Sequence, residues 1–192
     1  MLLNVPPCKD LSISVVCEPG TETELLVREI LRTRARVARI WPLPQRLPDD
    51  YDALFCDFSE ALVQALPWVP GEASSSLVVV LPANDSYDLK LLRDCSPDAV
   101  LHRPLASHAV LTSLIMARNQ FLYIRRLQMR IARMDETLRA TRDIERAKQI
   151  LMTSRSISEE EAYECLRRNA MNRRLTIAAV ARAIVDYEMV VG

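Results

Sequence analysis

The sequence predicts an α/β doubly wound N-terminal domain, followed by a long helix and a C-terminal three-helix bundle. Three observations predict it. Short β-branched runs alternate with crossover segments over the first hundred residues, and neither Pro nor Gly interrupts the stretch between Pro104 and Met152. The charge is also divided. Lys plus Arg and Asp plus Glu number 25 each over 192 residues, yet residues 1–110 carry 10 basic and 15 acidic side chains and residues 111–192 carry 15 and 10. An acidic module joined to a basic one implies that the basic half faces a polyanion. With 49% apolar residues the chain can bury a core.

Leu11–Cys17 reads as the first strand, Glu18-Pro19-Gly20 as the turn that ends it, and Glu22–Arg32 as a helix with Leu25, Leu26, Ile30 and Leu31 at helical spacing. The same rhythm returns at Arg36–Trp41, at Ala53–Phe58, at Leu77–Leu81 followed by Tyr87–Cys95, and at Ala99–Leu101. Five short apolar strands separated by crossovers imply a parallel sheet covered on both faces. Pro42, Pro44, Pro48, Pro67 and Pro70 fall between strands or at their ends, where a missing amide donor does no harm.

An unbroken helix beyond Pro104 would reach roughly 70 Å at ~1.5 Å per residue, and a helix of that length needs a partner. Ile124, Leu127, Ile131, Met134 and Leu138 recur at 3-4 spacing, with Ala117 one heptad earlier. This is the a/d seam of a coiled coil, and Ile at a with Leu or Met at d favours a parallel homodimer. Gln120 and Thr141 weaken the ends of the seam. Arg118, Arg125, Arg126, Arg130 and Arg133 decorate the same stretch with no acid between 118 and 134. They form either a solvated face or the bed of a polyanion; acidic contacts from the N-terminal module would also relieve their repulsion.

Three helical segments follow. Arg142–Thr153 bears Ile144, Ala147, Ile150 and Leu151; Ser158-Glu-Glu-Glu161 is a capping-box start for a second helix; Thr176 caps a third over Ile177–Tyr187. The domains are thus expected at 1–110, 111–141 and 142–192. Arg142, Arg146 and Lys148 lie near the start of the bundle, and Arg167, Arg168, Arg173 and Arg174 crowd eight positions without an acid. Such clusters supply phosphate contacts, and arginine also stacks on splayed loop bases. Met152 and Met171 read as core fillers.

Several classes are excluded. Three glycines permit neither a dinucleotide fingerprint nor a P-loop. His102 and His108 have no Cys or carboxylate at metal-ligand spacing, and no nucleophile and base pair is evident, so neither an enzyme nor a cofactor is expected. Cys8, Cys17, Cys56, Cys95 and Cys165 are odd in number and widely spaced, as reduced thiols are, which points to the cytoplasm. Neither a signal peptide over Met1–Pro7 nor a membrane span is expected.

Residues 10–118 resemble the receiver domains of bacterial response regulators, which have the flavodoxin-like strand order. The resemblance implies an acidic pair holding Mg²⁺, a phosphoacceptor aspartate, a hydroxyl residue and a Lys-Pro; the matching positions here are Cys17-Glu18, Asp57, Pro82 and Arg103-Pro104. Asp57 is the candidate phosphoacceptor. Cysteine is too soft for Mg²⁺ and proline cannot donate a hydrogen bond. An atypical receiver used for docking is expected, with Asp57 paired to Arg103.

Ile144-Glu-Arg-Ala-Lys-Gln-Ile-Leu-Met152, Ser158-Glu-Glu-Glu-Ala-Tyr163, Leu166-Arg-Arg-Asn-Ala-Met171, Leu175 and Ala178-Ala-Val-Ala181 resemble the ANTAR module of bacterial transcription antiterminators. The departures are Gln149 and the glycine-free turn Ser154-Arg-Ser156. The whole chain is similar to the amidase-operon branch of that family. The resemblance implies binding of leader mRNA stem-loops, prevention of intrinsic termination, and inhibition by a ligand-sensing partner of periplasmic-binding-protein fold. The alternatives are a DNA-binding response regulator and a protein-only signalling adaptor.

Overall fold

The computed structural model describes residues 10–69, 72–83 and 87–191, with side chains up to Glu188. Cys8, Pro70, Gly71 and the N-terminal segment lie outside the described residues. The chain divides into two compact units that meet between Arg125 and Arg126.

The first unit holds β1 (Ser12–Val16), α1 (Thr21–Leu31), β2 (Arg36–Arg39), β3 (Ala53–Asp57), α2 (Leu62–Ala65), β4 (Ser76–Leu81), α3 (Leu89–Cys95) and β5 (Ala99–His102), and the first turns of α4 (Ser107–Arg155). All strand pairs are parallel, in the order β2-β1-β3-β4-β5. The order reverses at β1, so the carboxyl ends of β1 and β3 flank a crevice. The short helix α2 has no counterpart in the sequence reading; its four residues are too few to show helical periodicity.

Strand alternation sends side chains to two cores. Ile13, Val15, Phe55, Val78 and Val80 face α1 and the start of α4, whereas Val16, Leu54, Cys56, Val79 and Leu81 face Leu62, Ala65 and Cys95. The inner strand β4 is buried at all six positions, as a strand covered on both faces must be. Ala117 joins the first core rather than a dimer seam, because Val110, Leu114 and Ala117 cover the sheet together. The exposed part of the apolar 3-4 stripe therefore begins at Ile124. From Leu122 through Arg139 every residue of α4 is exposed.

In the second unit the last turns of α4 pack with α5 (Glu159–Arg173) and α6 (Ile177–Val191). The core is small, built from Ala147, Leu151, Ala162, Leu166, Ala170, Val180, Ala181 and Val185. Alanine at half of these places lets the helices approach closely, and Leu166 fills the remaining space. The segment Arg142–Thr153 is no separate helix but the end of α4. Ser156, at φ 52°, breaks that helix in the left-handed conformation usual for glycine. The capping box forms, with the Ser158 hydroxyl accepting from the Glu161 amide and the Glu161 carboxylate accepting from the Ser158 amide. The Thr176 hydroxyl accepts from the Ala179 amide at 3.1 Å and starts α6.

Candidate nucleic-acid interface and sheet-edge cleft

The carboxyl ends of β1 and β3 open into a cleft of about 640 Å³ lined by Glu18, Glu22, Trp41, Asp57, Pro82 and Arg103 among others. Asp57 Oδ1 accepts from Arg103 Nη2 at 2.8 Å, and Oδ2 accepts from the Glu18 amide at 2.7 Å. Arg103 Nη1 donates to Glu22, whose other oxygen accepts from the Leu105 amide at 3.0 Å. The guanidinium thus bridges two carboxylates, a geometry its planar fork favours. Its hydrogen bond holds the Glu22 carboxyl below the usual carboxylate range.

A Mg²⁺ ion does not fit these residues. Both Asp57 oxygens and both Glu22 oxygens are engaged by N–H donors, Cys17 is buried with its thiol pushed up by burial, and of these residues only Glu18 has a carboxylate with no hydrogen-bond partner among the described residues. Among the described residues no group of three or more His, Cys, Asp or Glu is placed to hold a metal ion. Glu22 escaped the sequence reading. Its signal was Arg103, since a guanidinium in place of a lysine presents a second face that needs a second acceptor.

Arg118 leaves the set of free arginines on α4. Its Nη1 donates to the Asp52 carbonyl at 2.7 Å and Nη2 to the Asp52 carboxylate at 3.3 Å, tying α4 to the start of β3. Arg118 and Arg125 both lie over the ring of Phe121, at 5.7 and 5.6 Å. Ile124, Leu127, Ile131, Met134 and Leu138 are all exposed, by 36% to 60%.

In the second unit Arg142 and Arg146 are exposed near the end of α4. Lys148 is set apart from the arginines. It is only 8% exposed, and its ammonium meets Glu145 at 2.9 Å and Glu159 at 2.6 Å. Those hydrogen bonds raise its pKa and lower that of Glu159. Lys148 therefore joins α4 to the start of α5. Arg167 is exposed and pairs with Glu164 at 3.2 Å, whereas Arg168, Arg173 and Arg174 are exposed without an acidic partner among the described residues. Met171, expected in the core, is 70% exposed on α5, while Met152 packs against the bundle core. The α5 core runs through Ala162, Leu166 and Ala170, and position 171 turns away from that stripe.

Arg173 ends α5 and Arg174 begins the turn to α6. Arg174 adopts φ 55° and ψ 39°, and the Leu175 amide donates to the Ala170 carbonyl at 2.9 Å, closing α5 with a Schellman turn. Both side chains are exposed at the end of α5, and the left-handed backbone of Arg174 turns the chain there. Phosphate-contacting groups must be this accessible.

Comparison with known proteins gives two family matches. Residues 11–118 match the family described as AmiR, N-terminal, and residues 132–185 match the ANTAR domain. The aliphatic amidase regulator of Pseudomonas aeruginosa is 26% identical over 188 residues, covering 94% of this chain and 93% of that protein. The transcriptional regulatory protein PdtaR of Mycobacterium tuberculosis is 31% identical over 110 residues, 57% of this chain and 54% of the relative. Among solved structures the response regulator StyR is similar in fold, with a TM-score of 0.54 at 12% identity over 92% of this chain and 98% of that one.

Proposed function

Because the chain belongs to the AmiR N-terminal family and carries an ANTAR domain, we propose that it is an RNA-binding regulator of transcription antitermination. It binds stem-loops in a leader mRNA and prevents an intrinsic terminator from forming. The observation that carries this reading is the exposed, acid-free arginine group Arg168, Arg173 and Arg174 at one end of a bundle of the matched domain. Arg142, Arg146 and Arg167 supply further phosphate contacts, and Lys148 positions the helices that present them. Arginine planes suit splayed loop bases better than the deep groove of an A-form stem.

The functional spans are 1–110 for the receiver-like module, 111–141 for dimerisation and 142–192 for RNA. Two copies associate in parallel through Ile124, Leu127, Ile131, Met134 and Leu138. Removing these side chains from water gives the exposed helix the partner it lacks, at roughly 1.5–3 kcal/mol per fully buried large aliphatic residue. The receiver-like module takes its input from a ligand-sensing protein of periplasmic-binding-protein fold. With both oxygens of Asp57 occupied, that partner rather than phosphoryl transfer is the switch. The protein acts in the cytoplasm, where transcripts are made; among the described residues no helix is long and apolar enough to cross a membrane.

A DNA-reading role is less well supported. The outward positions of α6 include Arg182, already facing Asp186 at 4.0 Å, together with Ala183 and Glu188. A major-groove helix needs several base-reading donors instead. Filter binding of the full-length protein to its own leader hairpin and to duplex DNA of equal charge decides between the readings. Tighter binding to the hairpin is expected, and a preference for the duplex would sink the proposal.

A further inference from the structure

On α4, Arg126, Arg130 and Arg133 follow i, i+4, i+7 spacing and therefore share one face. Continued through Thr137 and Ala140, the same face reaches Ile144, Ala147, Lys148 and Leu151, which enter the bundle. The stripe that is buried in the bundle thus becomes arginine where the bundle ends. Ile124, Leu127, Ile131, Met134 and Leu138 run along another side of the helix. The arginine row and the bundle lie on the same side of α4, and the apolar seam does not.

A groove shared by Ala132, Arg139 and Ala140 of α4 with Thr176, which caps α6, and Ala179 of α6 puts the α5–α6 turn beside this part of the helix. Arg173, the last residue of α5, and Arg174, the first of that turn, precede Thr176. All three α4 arginines are exposed and without an acidic partner among the described residues, and no acid occurs on α4 before Asp135. Asp135 and Glu136 line the groove and begin where the row stops.

We infer that Arg126, Arg130 and Arg133 form a second phosphate-binding track, which holds the single-stranded RNA flanking the hairpin that the bundle binds. This inference rests on the reading of the bundle as an RNA-binding module. Charge complementarity names the occupant: three unopposed cations at one-turn spacing match a polyphosphate strand. Arg126 and Arg133 stand at c positions, turned away from a second copy docked on the seam, and Arg130 stands at a g position on its border, so the strand can leave the bundle along the outer side of α4.

The test uses full-length protein and two RNAs, a leader hairpin with single-stranded flanks and the same hairpin trimmed of them. R126A/R130A/R133A is expected to weaken binding of the flanked RNA about tenfold or more near physiological salt. The slope of log affinity against log salt should become shallower by about 2, at ~0.7 per phosphate on a single strand. Binding of the trimmed hairpin and the sedimenting mass should stay as in the unaltered protein. R126K/R130K/R133K should restore the slope, since phosphate contact needs charge more than fork geometry.

An unchanged slope for the alanine variant on flanked RNA overturns the inference and leaves the row to an acidic protein surface. R173A/R174A tests the underlying reading separately, because it should weaken binding of both RNAs. If the unaltered protein ignores both RNAs, reading and inference fall together; if only the α4 variant is silent, the reading of the bundle stands alone.

Discussion

Arg174 illustrates how one residue can serve contact at the expense of stability. A side chain with a Cβ in the left-handed region costs of order 1 kcal/mol, and glycine adopts it freely. Arg174→Gly is therefore expected to raise the unfolding free energy of the bundle by up to ~1 kcal/mol while weakening hairpin binding. Chemical denaturation and filter binding on the same variant would read the two effects in opposite directions. Loss of stability, or unaltered RNA affinity, would show that the left-handed arginine has no such dual role. Arg103 was legible as a charged substitute for a lysine, but its second partner was not. Glu22 is 81 positions away in sequence, and only the fold brings the segment after β5 to the first turn of α1. A depressed carboxyl stabilises the fold above its ordinary value near 4.5, and that contribution is lost as the pH falls below it. Glu22→Gln should accordingly flatten the acid limb of a melting-temperature profile taken from pH 7 down to pH 3.5. A limb as steep as that of the unaltered protein would remove Glu22 from the network's energetics.

Among the elements, α4 shows most clearly what periodicity can and cannot reveal. The 3-4 pattern picked out a stripe of apolar residues that the structure leaves exposed, but it extended that stripe back to Ala117, which the structure buries against the sheet. Heptad spacing and helix-on-sheet packing both place small apolar residues at this interval, so the pattern alone did not separate them. Arg118 belongs to the same transition, since it ties α4 to Asp52 just before the helix becomes exposed. Ile131→Lys is expected to convert a dimer into a monomer in sedimentation at micromolar concentration, because a buried a-position charge facing its own copy cannot be paired. A dimer that persists would assign self-association to the sheet-containing unit. The two caps of the bundle were readable in advance from short local patterns, Ser158 with Glu161 and Thr176 before an apolar run. Their hydrogen bonds span only three residues, so no distant contact can override them.

For the molecule as a whole, zero net formal charge conceals two regions of opposite sign. Association with RNA should therefore depend steeply on salt despite the neutral total, because counterion release follows the phosphates contacted and not the net charge of the protein. The sequence by itself determined the sheet, the long helix, the helical bundle and the basic character of the C-terminal half. Each rests on composition or on repeats no longer than two helical turns, which are written in neighbouring residues. Tertiary structure alone decided which charges remain available. It engaged Arg118 with Asp52, Lys148 with Glu145 and Glu159, and added Glu22 and a backbone amide to the Asp57–Arg103 pair that the sequence already predicted, leaving Arg126, Arg130, Arg133, Arg173 and Arg174 exposed. Coulomb attraction depends on distance in space, and the acids that engage Arg118 and Arg103 come from elements far away along the chain.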